Sequence, residues 1–288
     1  MMVRLLLALV LSLTCLDAHA QGFDMSKGTS EIQISADDGL EWQSEASRVV
    51  AKGNAKAIRG DVTVTADTLT AYYRNNNGTT NPTGGGSQIW RVDADGHVTI
   101  SNPTDTATGT KAIYDLDKAV LILKGSPAKL VTPTDSLSAD DALAYWDTEK
   151  MAVLRSNGIA ITKDKKIQAD VLTAHFRDNK QAPKPQKSGN NGSMELSRAD
   201  AFGHVILTTP QDKVTGDRGD YNAVTGIATL TGIVTLTRDN NVMNGGYANV
   251  DLNSGISTLY GNQAGATTGK QRVQATFSPS QQKSGTKQ

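Results

Sequence analysis

The chain has 288 residues, and its 29 basic and 29 acidic side chains balance. This balance gives no support to a nucleic-acid-binding or polyanion-binding function, which usually goes with an excess of Lys and Arg. Hydrophobic residues make up 38% of the chain and aromatic residues only 5%, which is low for a compact enzyme of this length and favours many short strands that share a narrow core.

The first 20 residues have the pattern of an export signal. A basic residue precedes the apolar run Leu5–Leu13, and Ala18-His19-Ala20 has the small-x-small form of a cleavage site. The run is too short to cross a bilayer, so we expect a cleaved secretory signal over residues 1–20. A lipoprotein signal at Cys15 is the alternative, and Thr14 before it disfavours that interpretation. Cleavage after Ala20 would remove the only cysteine.

The segment Arg48–Tyr73 sets the pattern for the rest of the chain. Small or apolar residues occupy every second position of its first half, namely Val49, Ala51, Gly53, Ala55 and Ala57. A period of two with one apolar face predicts a half-buried antiparallel strand. A second strand follows Gly60-Asp61, and beyond Ala66-Asp67 the larger apolar residues change parity, which requires a bulge or a corner in the sheet.

An internal duplication follows from repeated landmarks. Ala-Asp pairs recur 30 residues apart within each half and 103 residues apart between the halves, at Ala36-Asp37, Ala66-Asp67, Ala139-Asp140 and Ala169-Asp170. The motif DADGHV around Gly96 returns as DAFGHV around Gly203, now 107 residues later. The spacing predicts two copies of one set of short strands, over about 30–134 and 135–260.

Two segments and the tail differ from the strand pattern. Residues 75–88 and 178–193 are rich in Gly, Pro, Asn and Lys and occupy equivalent places in the two copies, so we expect mobile surface loops there. Residues 261–288 are polar, and we expect this tail to be disordered. No stretch has a convincing helical period, so the sequence predicts an all-β domain over residues 30–260.

Three segments in order resemble the OstA-like domain family of lipopolysaccharide transport. They are ISADDGLEW at 34–42, VVAKGNAKAIRGDVTVTADTLTAYY at 49–73, and ATGTKAIYDLDKAVLILKGSPAKLV at 107–131. The layout of signal, repeat domain and polar tail is most similar to the family's periplasmic bridge proteins. The resemblance implies an elongated open β-jelly roll, V-shaped in section, whose stacked antiparallel sheets enclose an apolar groove.

The resemblance also implies a function. A member of this family would bind the lipid A acyl chains of lipopolysaccharide in its groove, in the periplasm of a Gram-negative bacterium, and pass them from the inner membrane towards the outer membrane. Its partners would be the OstA-like domains of an inner-membrane LptC-like and an outer-membrane LptD-like protein, joined by edge-strand pairing. Head-to-tail self-association is a further expectation. No enzymatic activity, cofactor, metal or nucleic acid is implied.

The groove would be lined by aliphatic residues of moderate size. The candidates are Ile32, Ile34, Val49, Val62, Val64, Val98, Ile100, Leu121, Leu123, Leu130, Ile159, Ile161, Val205, Leu207, Leu230, Val234 and Leu236. From the residues alone, these side chains favour the core of a closed β-sandwich, whereas the resemblance favours the groove. The small residues Gly53, Ala55 and Ala57 would leave room for an acyl chain.

The first strand and three basic residues supply further candidates. The segment Ile32, Gln33, Ile34 and Ser35 carries no Lys or Pro to protect an edge, so it is a candidate for strand pairing with a partner, or an ordinary first strand. Arg48, Lys52 and Lys56 are expected on one outward face, either as lipid A phosphate contacts or as a solvated basic surface.

The recurring acidic residues and histidines point to structure. Asp67, Asp140 and Asp170 are expected at corners, where their carboxylates would accept backbone N–H groups. His97 and His204 occupy equivalent places in the two copies, so a shared metal site is not expected. The competing functions are an exported β-helical enzyme that acts on polysaccharide and a structural adhesin.

Overall fold

A computed structural model describes residues 31–75, 87–178, 194–262 and 272–277, and these residues form an 18-stranded sheet. The strands are β1 (Gln33–Ser35), β2 (Gly39–Gln43), β3 (Arg48–Arg59), β4 (Val62–Asn75), β5 (Ser87–Ser101), β6 (Thr106–Asp115), β7 (Val120–Lys124), β8 (Ala128–Val131), β9 (Asp135–Ala139), β10 (Ala142–Trp146), β11 (Met151–Thr162), β12 (Lys165–Asp178), β13 (Met194–Thr208), β14 (Asp212–Asn222), β15 (Ile227–Arg238), β16 (Asn241–Asp251), β17 (Ile256–Tyr260) and β18 (Gln274–Thr276). The described residues contain no helix, and so none that could span a membrane. The all-β prediction is confirmed.

Every pairing among the described strands is antiparallel. Within each half of the chain, consecutive long strands pair with each other, and at four places two short strands pair with the two halves of one long strand. β1 and β2 both pair with β3, β7 and β8 with β6, β9 and β10 with β11, and β17 and β18 with β16. The result is a single continuous sheet whose two ends are the pairs β1–β2 and β17–β18.

A β-bulge near the middle of each long strand bends this sheet into two layers. In β3 the register with β4 shifts between Lys52 and Ala55, and in β13 the register with β14 shifts between Phe202 and Val205. We call the layer that contains β2, β7, β10 and β17 arm A, and the layer that contains β1, β8, β9 and β18 arm B. The change of parity predicted at Ala66-Asp67 is one of these bulges, because β4 and β5 lose register between Thr65 and Thr68.

The core lies between the arms. A single cluster of buried side chains joins residues of arm A such as Leu69 to residues of arm B such as Val64. The largest fully buried side chains are Leu69, Leu123, Leu154, Leu230 and Leu236. Since burying one such side chain contributes about 1.5–3 kcal/mol, the inner faces of the two arms supply most of the stability of the roll.

The two halves of the chain repeat the same strand plan. β3 and β11 have 12 residues each, β4 and β12 have 14 each, and β5 and β13 have 15 each. The buried carboxylates Asp105 and Asp212 also occupy equivalent turns. These equalities agree with an internal duplication, while the predicted boundaries of the copies remain a prediction.

The tail differs from expectation at one place. Residues Gln274–Thr276 form β18, which pairs with Val242–Asn244 of β16, so the tail is not disordered throughout. The backbone groups of β16 beyond β17 are thereby paired, which is the physical reason for order in this polar segment. The predicted signal at 1–20, the centres of both predicted loops, and residues 263–271 and 278–288 of the tail lie outside the described residues.

Candidate functional site

Most of the predicted groove residues lie on the inner faces of the arms. Those that are buried are Val62, Val64, Val98, Ile100, Leu121, Leu123, Val205, Leu207, Leu230, Val234 and Leu236. Ile34 and Leu130 pack against the same cluster, and Ile32 and Val49 are half-buried near the β1–β2 end. The inner surface is therefore continuous and aliphatic across both copies.

Ile159 and Ile161 were predicted wrongly to face the groove. The bulge at Ser156-Asn157 turns Gly158 and Ala160 inward, opposite Ala169 and Ile167, and so turns both isoleucines outward. Ile161 is 42% exposed. One extra residue in a bulge reverses the facing of every residue beyond it, which a count of alternating residues cannot detect.

The core of the first copy is tightly packed around one small cavity. A cavity of about 20 Å³ lies between the arms of the first copy, lined by Val64, Val92, Ala94, Ile100, Ala112, Tyr114 and Leu121. This volume accommodates roughly one water molecule. Ala55 and Ala57 are fully buried, and the space beside Gly53 is filled by the Asp38 carboxylate, so the room expected at these small residues is already occupied. An acyl chain would have to separate the arms.

Large apolar side chains are exposed on the inner face at the β1–β2 end of the roll. Leu40 lies opposite Ala51, and Trp42 lies opposite Val49, so both belong to the inner face of arm A. They are 56% and 51% exposed, because β2 has no described strand on its other side. The indole of Trp42 donates a 2.9 Å hydrogen bond to the hydroxyl of the buried Tyr73. We call Leu40, Trp42 and Tyr73 the open mouth.

A polar cluster lies between the arm tips near the other end. Asp212 and Arg238 are paired in arm B, where Nε and Nη2 of Arg238 donate to the two carboxylate oxygens at 2.6 and 2.7 Å. Arg238 also donates to the carbonyl oxygen of Gly255, and the hydroxyl of Ser257 donates to Asp212. Gly255 and Ser257 both belong to the tip of arm A. We call Asp212, Arg238, Gly255 and Ser257 the clasp.

The clasp carboxylate is charged despite its burial. Burial raises the pKa of Asp212, but the hydrogen bonds from Arg238 and Ser257 outweigh burial, so the pKa lies below its usual value. The bond to Asp212 also raises the pKa of Arg238. Sequence reasoning missed the clasp and the open mouth. GLEW at 39–42 continues the apolar alternation and was a usable signal for the mouth, whereas nothing in the sequence linked Asp212 to Ser257.

Comparison with known proteins gives a match over most of the described chain. The model of the family described as "LptA/(LptD N-terminal domain) LPS transport protein" matches residues 33–150 and again residues 141–256. This chain belongs to that family. The two successive matches agree with the duplicated strand plan.

Two individual proteins are also similar to this family member. An uncharacterized protein of Rhizobium meliloti (strain 1021) is 30% identical over 113 residues, which are 39% of this chain and 59% of the relative. The chain thus spans less than two thirds of that relative's length. The crystal structure of LptH, the LptA homologous periplasmic component of the lipopolysaccharide transport device from Pseudomonas aeruginosa, is 13% identical, and the alignment covers 87% of this chain and 96% of LptH with a TM-score of 0.23.

In this LptA-family chain, the predicted pairing segment lies at an edge. Gln33, Ile34 and Ser35 form β1 and pair with Ile58, Ala57 and Lys56 of β3, while Ile32 precedes the strand. β1 has no other partner among the described strands. The position suits strand addition, and pairing with a partner protein stays a prediction.

The three basic candidates do not share one surface. Arg48 and Lys52 lie on the outside of arm A, where Arg48 donates to the side chain of Gln43 and Lys52 pairs with Glu41 at 3.0 Å. Lys56 lies beyond the bulge, on the outside of arm B. The corner between Lys52 and Ala55 separates them, so the expectation of a single basic face is wrong.

The recurring carboxylates lie at the corners, as expected, but with different partners. Asp67 contacts Nδ1 of His97 at 2.9 Å, Asp170 contacts Nδ1 of His204 at 2.9 Å, and Asp140 accepts from the amide of Asn157 at 3.1 Å. These are side-chain partners on the next strand rather than backbone N–H groups.

Each of these contacts is local to its own corner. Within the described ranges no group of three or more His, Cys, Asp and Glu could hold a metal ion. The β-helical alternative is also overturned, since such folds are built from parallel strands and these strands are antiparallel.

Proposed function

We propose that this protein is a periplasmic lipopolysaccharide-binding bridge, which shields acyl chains between its arms and passes lipopolysaccharide from an inner-membrane complex to an outer-membrane translocon. One observation carries the proposal beyond family membership: the aliphatic inner surface runs through both copies and emerges at the exposed Leu40 and Trp42. In this role the protein contributes to outer-membrane assembly.

The chemistry of the inner surface suits the cargo. Each exposed CH₂ group of an acyl chain costs about 0.8 kcal/mol in water, so a lipid needs a continuous apolar path to cross an aqueous compartment. The groove side chains are aliphatic, and a 20 Å³ cavity lined in part by Val64 and Ile100 lies between the arms of the first copy. Binding would separate the arms there and exchange contacts between side chains for contacts with lipid.

The ends of the sheet support the proposed partners. β1 and β2 at one end, and β17 and β18 at the other, each leave one edge without a partner among the described strands. Unpaired N–H and C=O groups favour the addition of a further strand. We propose LptC-like and LptD-like OstA domains as the partners, with head-to-tail self-association between copies. The expected signal at 1–20 supports a periplasmic location.

The proposed role is that of a carrier rather than an enzyme. General acid–base catalysis on a sugar needs two carboxylates that converge on one site. Asp67, Asp140 and Asp170 instead lie at successive corners, and each is engaged by a side chain of the neighbouring strand. Lipid A phosphate contacts by Arg48, Lys52 or Lys56 remain a proposal, with Lys52 already paired to Glu41.

Site-specific photo-crosslinking in cells tests the proposal. A photoreactive amino acid at Ile100, which lines the cavity, should capture lipopolysaccharide. The same substitution at Ile161 is a matched control, because this isoleucine is 42% exposed on the outside of arm B. Equal capture at both positions, or capture at Ile161 alone, would contradict a groove between the arms.

A further inference from the structure

The two ends of the groove differ in how its side is closed. At the β1–β2 end the inner face carries Leu40 and Trp42, which are more than half exposed. Near the β17–β18 end the tips of the two arms meet, and the partly buried Leu252 packs against the core beneath the turn that joins β16 to β17. The groove is therefore open at one end and closed laterally near the other.

Polar contacts make this lateral closure. Asp212 and Arg238 form a two-bond ion pair within arm B, and Asp212 is only 4% exposed. Two hydrogen bonds then cross to arm A, from Ser257 to Asp212 and from Arg238 to the carbonyl of Gly255. All of these groups lie at the tips, directly outside the buried inner side chain Leu236.

The clasp consists of an ion pair within arm B and two hydrogen bonds that cross to arm A. The ion pair belongs to neighbouring strands of one arm, so it stays intact when the arms part. Within the clasp, the two bonds to Ser257 and Gly255 are the ones that would break, and water can replace a single hydroxyl and a single carbonyl at the surface. Arm A carries no charge in these two contacts, so opening leaves no unpaired ion on either side.

We propose that the clasp is a lateral gate, which opens to admit acyl chains to the second copy and closes behind them. The inference rests on the proposed lipid-carrying function. Lipid would enter the first copy freely at the open mouth, whereas occupancy next to Leu236 would require Ser257 and Gly255 to part from Asp212 and Arg238.

A reversible covalent lock tests the gate. The chain has one cysteine, Cys15, which lies in the predicted signal, so the exported double variant Asp212→Cys/Ser257→Cys should carry only the new pair of thiols. A photoreactive residue is placed at Ile100 or, separately, at Leu236, and lipopolysaccharide capture is compared before and after reduction. Each single cysteine variant is the matched control, and disulfide formation is verified by electrophoretic mobility.

With the lock oxidised, capture at Leu236 should fall to background while capture at Ile100 persists, and reduction should restore capture at Leu236. Equal capture at Leu236 in the oxidised and reduced states would overturn the gate and leave the carrier function intact. Absence of capture at both positions in every state would instead overturn the carrier function and the gate with it. As a second variant, Arg238→Gln weakens the closure without a lock and should increase capture at Leu236.

Discussion

The carboxylate of Asp170 covers Gly203 on the neighbouring strand, so that a Cβ added to this glycine would overlap the carboxylate. Gly203 has a φ of 76° and is followed by His204 with a φ of 46°, and the imidazole of His204 contacts Asp170 at 2.9 Å. The same arrangement joins Asp67 to Gly96-His97 in the first copy. The corner is thus a unit of one carboxylate and two left-handed residues.

Replacing Gly203 with Ala should destabilise the protein by about 2–4 kcal/mol, because a left-handed Ala costs about 1–2 kcal/mol and the new methyl group also displaces Asp170. Gly255→Ala is the matched control, since Gly255 has a φ of 71° but nothing within 4 Å of its added Cβ. This variant should lose only the conformational part, about 1–2 kcal/mol. Urea unfolding measures both. Equal losses would show that the Asp170 contact has no energetic role.

Ser156 holds the corresponding corner position in β11, with a φ of 63°, and Asn157 follows it with a φ of 54°. A serine in this conformation is strained, whereas glycine adopts it freely. Ser156→Gly should therefore stabilise the protein by roughly 1 kcal/mol. Ser156→Ala retains the Cβ and should give no gain. A higher denaturation midpoint for Ser156→Ala than for Ser156→Gly would contradict the strain argument.

The corners also explain how far sequence reasoning reached. The pair Ala66-Asp67 was recognisable as a bulge, because the apolar parity changes within the same strand. At Ala160 the inward residue is small while its outward neighbours Ile159 and Ile161 are large, so alternation by size gave the wrong face. Which residues of β11 face inward beyond its bulge depends on how β11 pairs with β9 and β12. The sequence of β11 alone does not determine that pairing.

The polar contacts of the clasp could not be predicted from the sequence for a related reason. Arg238 follows Asp212 by 26 residues, and Ser257 follows it by 45. Each residue alone is typical of a strand end or a turn. Their meeting depends on the bend that brings the tip of arm A to the tip of arm B. The exposed Trp42 is different, since its place on the inner face follows from its alternation with Leu40, and only its exposure required the structure.

The clasp should make stability depend on pH. The pKa of Asp212 is lowered in the folded protein, so its charged form stabilises the fold at pH values above the unfolded pKa of about 3.9, and this contribution is lost as the pH falls through the lower folded pKa. Asp212→Asn should cost about 1–3 kcal/mol at neutral pH. The difference from the natural protein should shrink below about pH 4. Urea unfolding at several pH values measures this difference. If the difference in unfolding free energy between Asp212→Asn and the natural protein stays constant from about pH 7 to about pH 3, the stabilising role of the charged Asp212 is contradicted.

Trp42 should report lipid at the open mouth. Its side chain is 51% exposed on the inner face, so bound acyl chains would remove water from the indole. In a variant with Trp90→Phe and Trp146→Phe, Trp42 is the single tryptophan, and lipopolysaccharide should shift its emission to shorter wavelength. Retaining Trp146 as the single tryptophan instead provides the control. Binding without any shift of Trp42 would exclude the mouth from the path.

The edge strand β1 should determine assembly with a partner at its own end only. Proline has no N–H and does not fit a paired strand, so Ile34→Pro should abolish capture of the partner that docks at the β1–β2 end. Thr276→Pro makes the same change in β18 at the opposite end. This variant should still capture the partner that docks at the β1–β2 end, and it should weaken capture of the partner that docks at the β17–β18 end. Co-purification with each partner measures both effects.

A folding control keeps this comparison interpretable. Ile34 pairs with Ala57 in the first copy, far along the sheet from Trp146 in β10, so the emission of Trp146 should be unchanged in Ile34→Pro. Loss of partner capture with unchanged Trp146 emission assigns the defect to the edge. If Ile34→Pro retains both partners, strand addition at β1 is wrong, and docking must use β2, where Leu40 and Trp42 already present an unpaired apolar surface.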